Sequence, residues 1–170
     1  MSNINWYGIM KIIEIQQVDF KGNIVWNAKN IKNVLHLEGE KFLLEAAFYG
    51  GQNSTVVPTA YYLGLDNRTN VALADTLDEI TEEPVGSGYQ RAEIQSNGVF
   101  TISFQDDRYI ANSPIVSFRA VTGGWGPCRN LFLTGNEKLI STAQLPSAIE
   151  LKIGDVITMR IGMQIRDYSI

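Results

Sequence analysis

Near its C-terminus the chain alternates apolar and polar residues without a break: Ile157, Met159, Ile161, Met163 and Ile165 are separated by Thr158, Arg160, Gly162, Gln164 and Arg166. Successive side chains of an extended chain point to opposite faces, so this period of two makes a strand with one dry face and one wet face. The dry face has to be covered, and in a chain of such strands the cover is a second sheet. Upstream, Ile149, Leu151 and Ile153 alternate with Ala148, Glu150 and Lys152, and Gly154-Asp155 parts the two runs. The pair reads as a terminal β-hairpin closed by a tight turn.

The same period recurs elsewhere. Phe100, Ile102 and Phe104 form a stripe opposed by Val99, Thr101 and Ser103, with turn residues Ser96-Asn97-Gly98 before it and Gln105-Asp106-Asp107 after it. A return strand through Tyr109 and Ile110 is expected. Further strands are predicted over 60–65, 115–120 and 131–134, and at the start over 10–18 and 24–27, joined by Lys21-Gly22-Asn23. One stretch departs from the pattern: between Val34 and Phe48, Leu37, Leu44, Ala47 and Phe48 fall at helical spacing behind Asn33, a residue suited to cap a helix. Gly39 inside it costs about 1 kcal/mol relative to alanine, so the helix is expected to begin late or to cover a sheet. A second helical turn is expected over Thr76 to Ile80. Gly50 to Pro58 reads as a loop.

A length of 170 residues suits one domain with one core. Residues 1–50 would supply an arm, a hairpin and the helix, and residues 58–170 the sandwich. Apolar residues at 45% and charged residues at 19% are a globular composition. A net charge of −4 opposes attraction to nucleic acid or to anionic lipid, so neither is expected as a partner. No run of about 18 apolar residues exists to form a helix across a bilayer, and Met1 to Tyr7 lacks the pattern of a secretory leader; a soluble protein kept in the cytoplasm is expected.

Chemistry has little to work with. Cys128 is the single cysteine and His36 the single histidine, so neither a disulfide nor a cluster of soft metal ligands can form within the chain, and no cofactor is expected. No nucleophile signature accompanies His36, which reads as a capping or surface residue at the helix start. Cys128, beside Arg129, reads as buried packing before it reads as a reactive thiol. Glu82-Glu83 and Asp106-Asp107 are carboxylate pairs of the kind glycosidases need, but neighbours on a strand point apart, and both read as solvated turns. Trp6, Trp26 and Trp125 with Tyr61, Tyr62, Tyr89 and Tyr109 could stack on sugar rings if several shared one exposed face; otherwise they are core and interface anchors. No catalytic residue is assigned, and an enzyme is not expected.

Three segments carry a resemblance: Tyr61-Tyr62-Leu63-Gly64-Leu65-Asp66; then Glu83-Pro84-Val85-Gly86-Ser87-Gly88-Tyr89-Gln90-Arg91; then Phe118 to Leu133 around Gly124-Trp125-Gly126-Pro127. Together with the closing Gly154-Asp155 turn and the helix through Gly39-Glu40, they resemble a family of small structural proteins of tailed-phage particles. The resemblance runs from Asn33 to Asp167. It implies a mainly β fold, an antiparallel β-sandwich of jelly-roll-like type with one N-terminal α-helix and an N-terminal hairpin or arm. It further implies a capsid cement, or decoration, protein on an icosahedral head, located in the virion and assembled in the host cytoplasm. Its partners would be the major capsid protein and copies of itself, with a trimer suggested by the threefold sites of such shells. Contact residues would be Trp6 and Tyr7, as a latch reaching a neighbouring subunit, and Tyr89, Arg91 and Trp125, which are residue types enriched at interfaces. Two other readings stand beside it: a tail or fibre component that binds a host glycan, and a small carbohydrate-active enzyme.

Overall fold

A computed structural model describes residues 5–48, 57–86, 88–96, 99–105 and 107–168. The chain opens with strands β1 (Asn5–Val18), β2 (Ile24–Lys32) and β3 (Val34–Leu35), followed by helix α1 (Leu37–Phe48). Strand β4 (Ala60–Asp66) leads through a 3-10 turn (Leu77–Glu79) to β5 (Ala92–Gln95), β6 (Thr101–Gln105), β7 (Arg108–Asn112) and β8 (Val116–Arg119). Three long strands close it: β9 (Trp125–Gly135), β10 (Lys138–Leu151) and β11 (Val156–Tyr168).

The strands make two antiparallel sheets packed as a β-sandwich. The first has the order β2-β1-β11-β7-β6, with β8 also pairing β11; the second has the order β3-β10-β9-β4-β5. The alternation of β11 works as its sequence requires. Ile157 and Ile161 are fully buried and Met159 nearly so, whereas Arg160 is exposed. They join Ile12 and Ile15 of β1, Leu63 and Leu65 of β4, Leu131 and Leu133 of β9, and Ala143 and Leu145 of β10 in one core. The N-terminal hairpin is built into this structure: β1 lies between β2 and β11, paired with β11 from Asn5↔Tyr168 to Val18↔Val156.

Three local expectations need correction. Gly154-Asp155 does turn the chain, but it closes no hairpin, because β10 pairs β9 and β3 while β11 pairs β1, β7 and β8. The turn carries the chain from one sheet to the other, and its backbone bonds go to the end of β8: Gly154 N–H to Ala120 O at 2.8 Å, and Ala120 N–H to Asp155 O at 3.1 Å. Asn33 does not cap the helix. Val34 and Leu35 first pair with Thr142 and Ser141, so α1 starts at Leu37 and the His36 carbonyl accepts its first bond, from Glu40 N–H at 2.8 Å. Finally, the stripe of Phe100, Ile102 and Phe104 is not one dry face. Phe100 turns in against the Tyr61 ring at 6.0 Å, but Ile102 and Phe104 remain 67% and 61% exposed.

Helix α1 covers the second sheet at close range. A Cβ added to Gly39 would lie 2.2 Å from the Ile140 carbonyl oxygen, so only glycine lets the helix approach β10 this closely. Glu38, in the first turn, ties the helix to its surroundings by accepting Leu139 N–H at 2.7 Å and pairing with Lys138 at 3.3 Å. The turn expected at Thr76 to Ile80 forms as the 3-10 turn, with Thr76 and Glu79 in a capping box.

Candidate interaction surfaces

The segment from Glu83 to Arg91 connects the 3-10 turn to β5, and its two described glycines, Gly86 and Gly88, both have φ of +76°. That left-handed geometry folds the loop back on itself, with Tyr89 N–H on Gly86 O at 2.9 Å. The Tyr89 hydroxyl accepts Leu65 N–H at 2.8 Å and donates to Glu83 at 2.7 Å. Glu83 also takes a forked pair of bonds from Arg91, at 2.9 Å from Nε and 2.8 Å from Nη2. The Tyr89 ring lies parallel to Phe118 and edge-on to Trp125, with centroids 6.2 and 5.2 Å away. The Arg91 guanidinium sits 5.0 Å above the Phe132 ring.

The structure thus brings Tyr89 and Trp125 together, with Arg91 tied to Tyr89 through Glu83. Their contacts are internal: they fasten the loop to β4, β8 and β9. Burial, aided by the Glu83 carboxylate, pushes the Tyr89 phenol far above its ordinary range, and the bonds to Glu83 raise Arg91 further. Trp125 is buried and Arg91 keeps about a third of its side chain exposed, at 33%. Trp6 and Tyr7 have their backbone in β1, registered with Asp167 and Arg166 of the same chain. Their side chains, and residues 1–4 of the expected latch, lie outside the described residues.

The other candidate groups do not converge. His36 is fully buried, with Nδ1 3.2 Å from Leu73 O and Nε2 2.9 Å from Thr142 Oγ1; burial lowers its pKa. Cys128 is buried and its thiol is pushed up to about 12, chiefly by desolvation, so it is neither accessible nor ionised at neutral pH. Glu83 is committed to Tyr89 and Arg91, while Glu82 is exposed beside it. Asp107 occupies a turn at φ +58°, and Asp106 lies outside the described residues. Of the tyrosines, Tyr62 and Tyr109 are exposed but belong to different sheets. Buried Asp66 pairs internally with the half-buried Arg68 and Asp75, Arg68 lying 3.0 Å from each carboxylate. No set of three or more His, Cys, Asp or Glu suited to a metal ion is found among the described residues. Two open depressions, of about 600 and 580 Å³, flank the turn at Asn136. No helix among the described residues is long and apolar enough to cross a membrane.

What the surface does present is apolar side chains on stiff turns. Phe20 is 71% exposed in the β1–β2 turn, Val85 94%, Val121 58% after β8, and Ile153 60% before β11. These turns are neighbours. A Cβ at Gly154 would touch Phe20, one at Gly88 would lie 3.6 Å from Val121, and the Gly154 turn is bonded to Ala120. Two of them are also locked from behind by a carboxylate. Asp19 accepts the Lys21 and Asn23 amides at 2.8 Å, and Asp155 accepts Gln17 at 2.9 Å and Lys152 N–H at 3.0 Å. None of these four was singled out from the sequence as a contact residue. The signal available was an isolated large apolar residue inside turn chemistry, as in Asp19-Phe20-Lys21-Gly22 and Pro84-Val85-Gly86. Comparison with known proteins found no match among family models, curated proteins or solved structures.

Proposed function

We propose that this chain is a structural subunit of a tailed-phage particle, of the capsid cement kind, and that it binds the shell through its apolar turns. The observation that carries the reading is the group of four neighbouring turns that expose Phe20, Val85, Val121 and Ile153 while hydrogen bonds hold their backbones. Isolated exposed apolar residues are ordinary, but several gathered on rigid turns make a contact surface that loses little entropy on docking. The landmarks behind the phage resemblance support this reading. The Glu83 to Arg91 segment and Trp125 form the internal clamp beneath Val85, so residues that look like contacts in the sequence serve as the frame of the contact surface.

A glycan-binding tail role would draw on several exposed aromatics sharing a face; of the expected sugar-stacking residues Tyr62 and Tyr109 are on different sheets, and Tyr109 shares its face with one other exposed aromatic, Phe104. A glycosidase would draw on two free carboxyls across a cleft, and Glu83 is engaged with Tyr89 and Arg91.

The test is attachment to heads lacking the protein, prepared from the phage that encodes it. Labelled wild-type chain should bind and be seen on the shell by cryo-electron microscopy. The double variant Phe20→Ser, Ile153→Ser removes two side chains that are more than half exposed, so it should fold normally by circular dichroism and bind at least about tenfold more weakly, a loss of about 1.4 kcal/mol. Equal binding of the two proteins, or wild-type density on the tail alone, would sink the proposal.

A further inference from the structure

Strand β6 ends the first sheet, and its outward side has no partner among the described residues. Such an edge is a template for another strand, and folded proteins commonly blunt it with charge, proline or brevity. The other edges among the described residues follow that rule: β2 carries Lys29, β3 has 2 residues, β5 has 4 with Glu93 among them, and β8, which pairs only β11, has 4 with Arg119 at its end. Strand β6 reads Thr-Ile-Ser-Phe-Gln, with no charge and no proline.

The edge is joined to an uncovered apolar ledge. Ile102 is registered with Ala111, and Ala111 with Met163; Phe104 is registered with Tyr109. Cross-strand partners share a face, and Met163 follows Ile161 by two, so this row continues the face that carries Ile157, Met159 and Ile161 into the core. Met163 still packs against that core. Beyond it, Ile102, Phe104 and Tyr109 are 67%, 61% and 71% exposed, with the Phe104 and Tyr109 rings 5.1 Å apart.

We infer that β6 pairs with β6 of a second copy of this chain, antiparallel about a two-fold axis through Ser103. Gln105 and Arg108 close a two-residue turn, so the amides of residues 101, 103 and 105 address β7, and those of Ile102 and Phe104 point outward. With Ser103 on the axis, Ile102 of each copy faces Phe104 of the other and exchanges both backbone bonds with it. Thr101 then faces Gln105, and no charge meets a like charge within the strand. A self-complementary strand of this kind makes a closed two-fold contact, which differs from the trimer that shell symmetry suggested. Set side by side, the two strands bring Ile102 and Phe104 of each copy against those of the other but leave the outer face of the ledge, and Tyr109 one strand further in, open, so the area buried is well below the ~800 Å² per partner of a standard interface. The pair is therefore weak in dilute solution and favoured where copies are held side by side, as on a shell. Because each copy carries −4 while the strand is neutral, screening by salt strengthens the pair.

The contact uses the purified chain alone and needs no head, so it stands or falls apart from the shell-binding proposal. Sedimentation equilibrium over a concentration series should give a monomer–dimer equilibrium for the wild type, shifted toward dimer by added salt. Phe104→Lys, at an exposed position, should leave the thermal melt unchanged and raise the dissociation constant at least about tenfold. Ser103→Cys, oxidised with glutathione disulfide, should form a disulfide dimer as the two axial thiols are oxidised and glutathione is reduced. The wild type should stay unlinked, since Cys128 is buried. A monomer at every concentration, a dimer indifferent to Phe104→Lys, or an unlinked Ser103→Cys protein would overturn the inference. A wild-type monomer whose head attachment is nonetheless lost in Phe104→Lys would assign the edge to the shell and equally overturn self-pairing.

Discussion

Tyr89 satisfies a backbone group that no strand reaches: the Leu65 amide points at its hydroxyl at 2.8 Å, from a residue with no exposed surface. Tyr89→Phe keeps the ring stacked on Phe118 and against Trp125 but leaves that amide without an acceptor and removes one donor from Glu83. A buried donor left unpaired costs about 1–3 kcal/mol, and urea denaturation should show a midpoint lowered accordingly, with an unchanged m-value. His36 gives a second residue-scale expectation. Its Nδ1 faces a carbonyl, so the neutral tautomer with the proton on Nδ1 donates to Leu73 O and accepts from the Thr142 hydroxyl on Nε2. Burial lowers its pKa below the ordinary 6.5. The unfolded chain takes up a proton near 6.5 and the folded chain does not, so stability is complete above that pH. It declines as the pH falls from 6.5 toward the lowered folded value. Urea midpoints measured on both sides of pH 6.5 should show this decline, and His36→Gln should flatten it within that window.

Among the elements, α1 shows how a local cost becomes a packing requirement. By propensity alone, alanine at position 39 would favour the helix by about 1 kcal/mol. Its Cβ would lie 2.2 Å from the carbonyl oxygen of Ile140 on β10, which β9 and β3 flank, and the strand cannot retreat. Gly39→Ala should therefore destabilise by up to about 2 kcal/mol net, read from the thermal or urea transition, because an overpacking cost of about 1–3 kcal/mol outweighs the propensity gain. The helix itself was legible from Leu37, Leu44, Ala47 and Phe48, and so was the presence of a glycine at a cost. What the glycine approaches was not, because Ile140 is about a hundred residues away and no local signal names a tertiary neighbour. The Gly154-Asp155 turn teaches the same lesson. Its residues specify a reversal of direction, and a reversal serves equally a hairpin and a passage between sheets.

On the scale of the molecule, the two sheets meet through side chains whose alternation is written into β1, β4, β9, β10 and β11, and the first and last strands lie side by side. Period-two patterning, the existence of helix α1 and the turn residues were determined by the sequence itself, because side-chain alternation, helical spacing and positive φ depend on near neighbours in the chain. Which sheet each strand joins, how far one sheet covers the other, and which apolar residues remain outside were decided by the tertiary structure. Ile102 and Phe104 have the same alternation as Ile157 and Met159, yet one pair is exposed and the other buried. Likewise Tyr89, Arg91 and Trp125 have the composition of an interface and turn inward, whereas Phe20 and Ile153, in ordinary turns, stand outside. A pattern states that a face is apolar; only the placement of the second layer states whether that face is covered, since burial is a property of what packs from a distance.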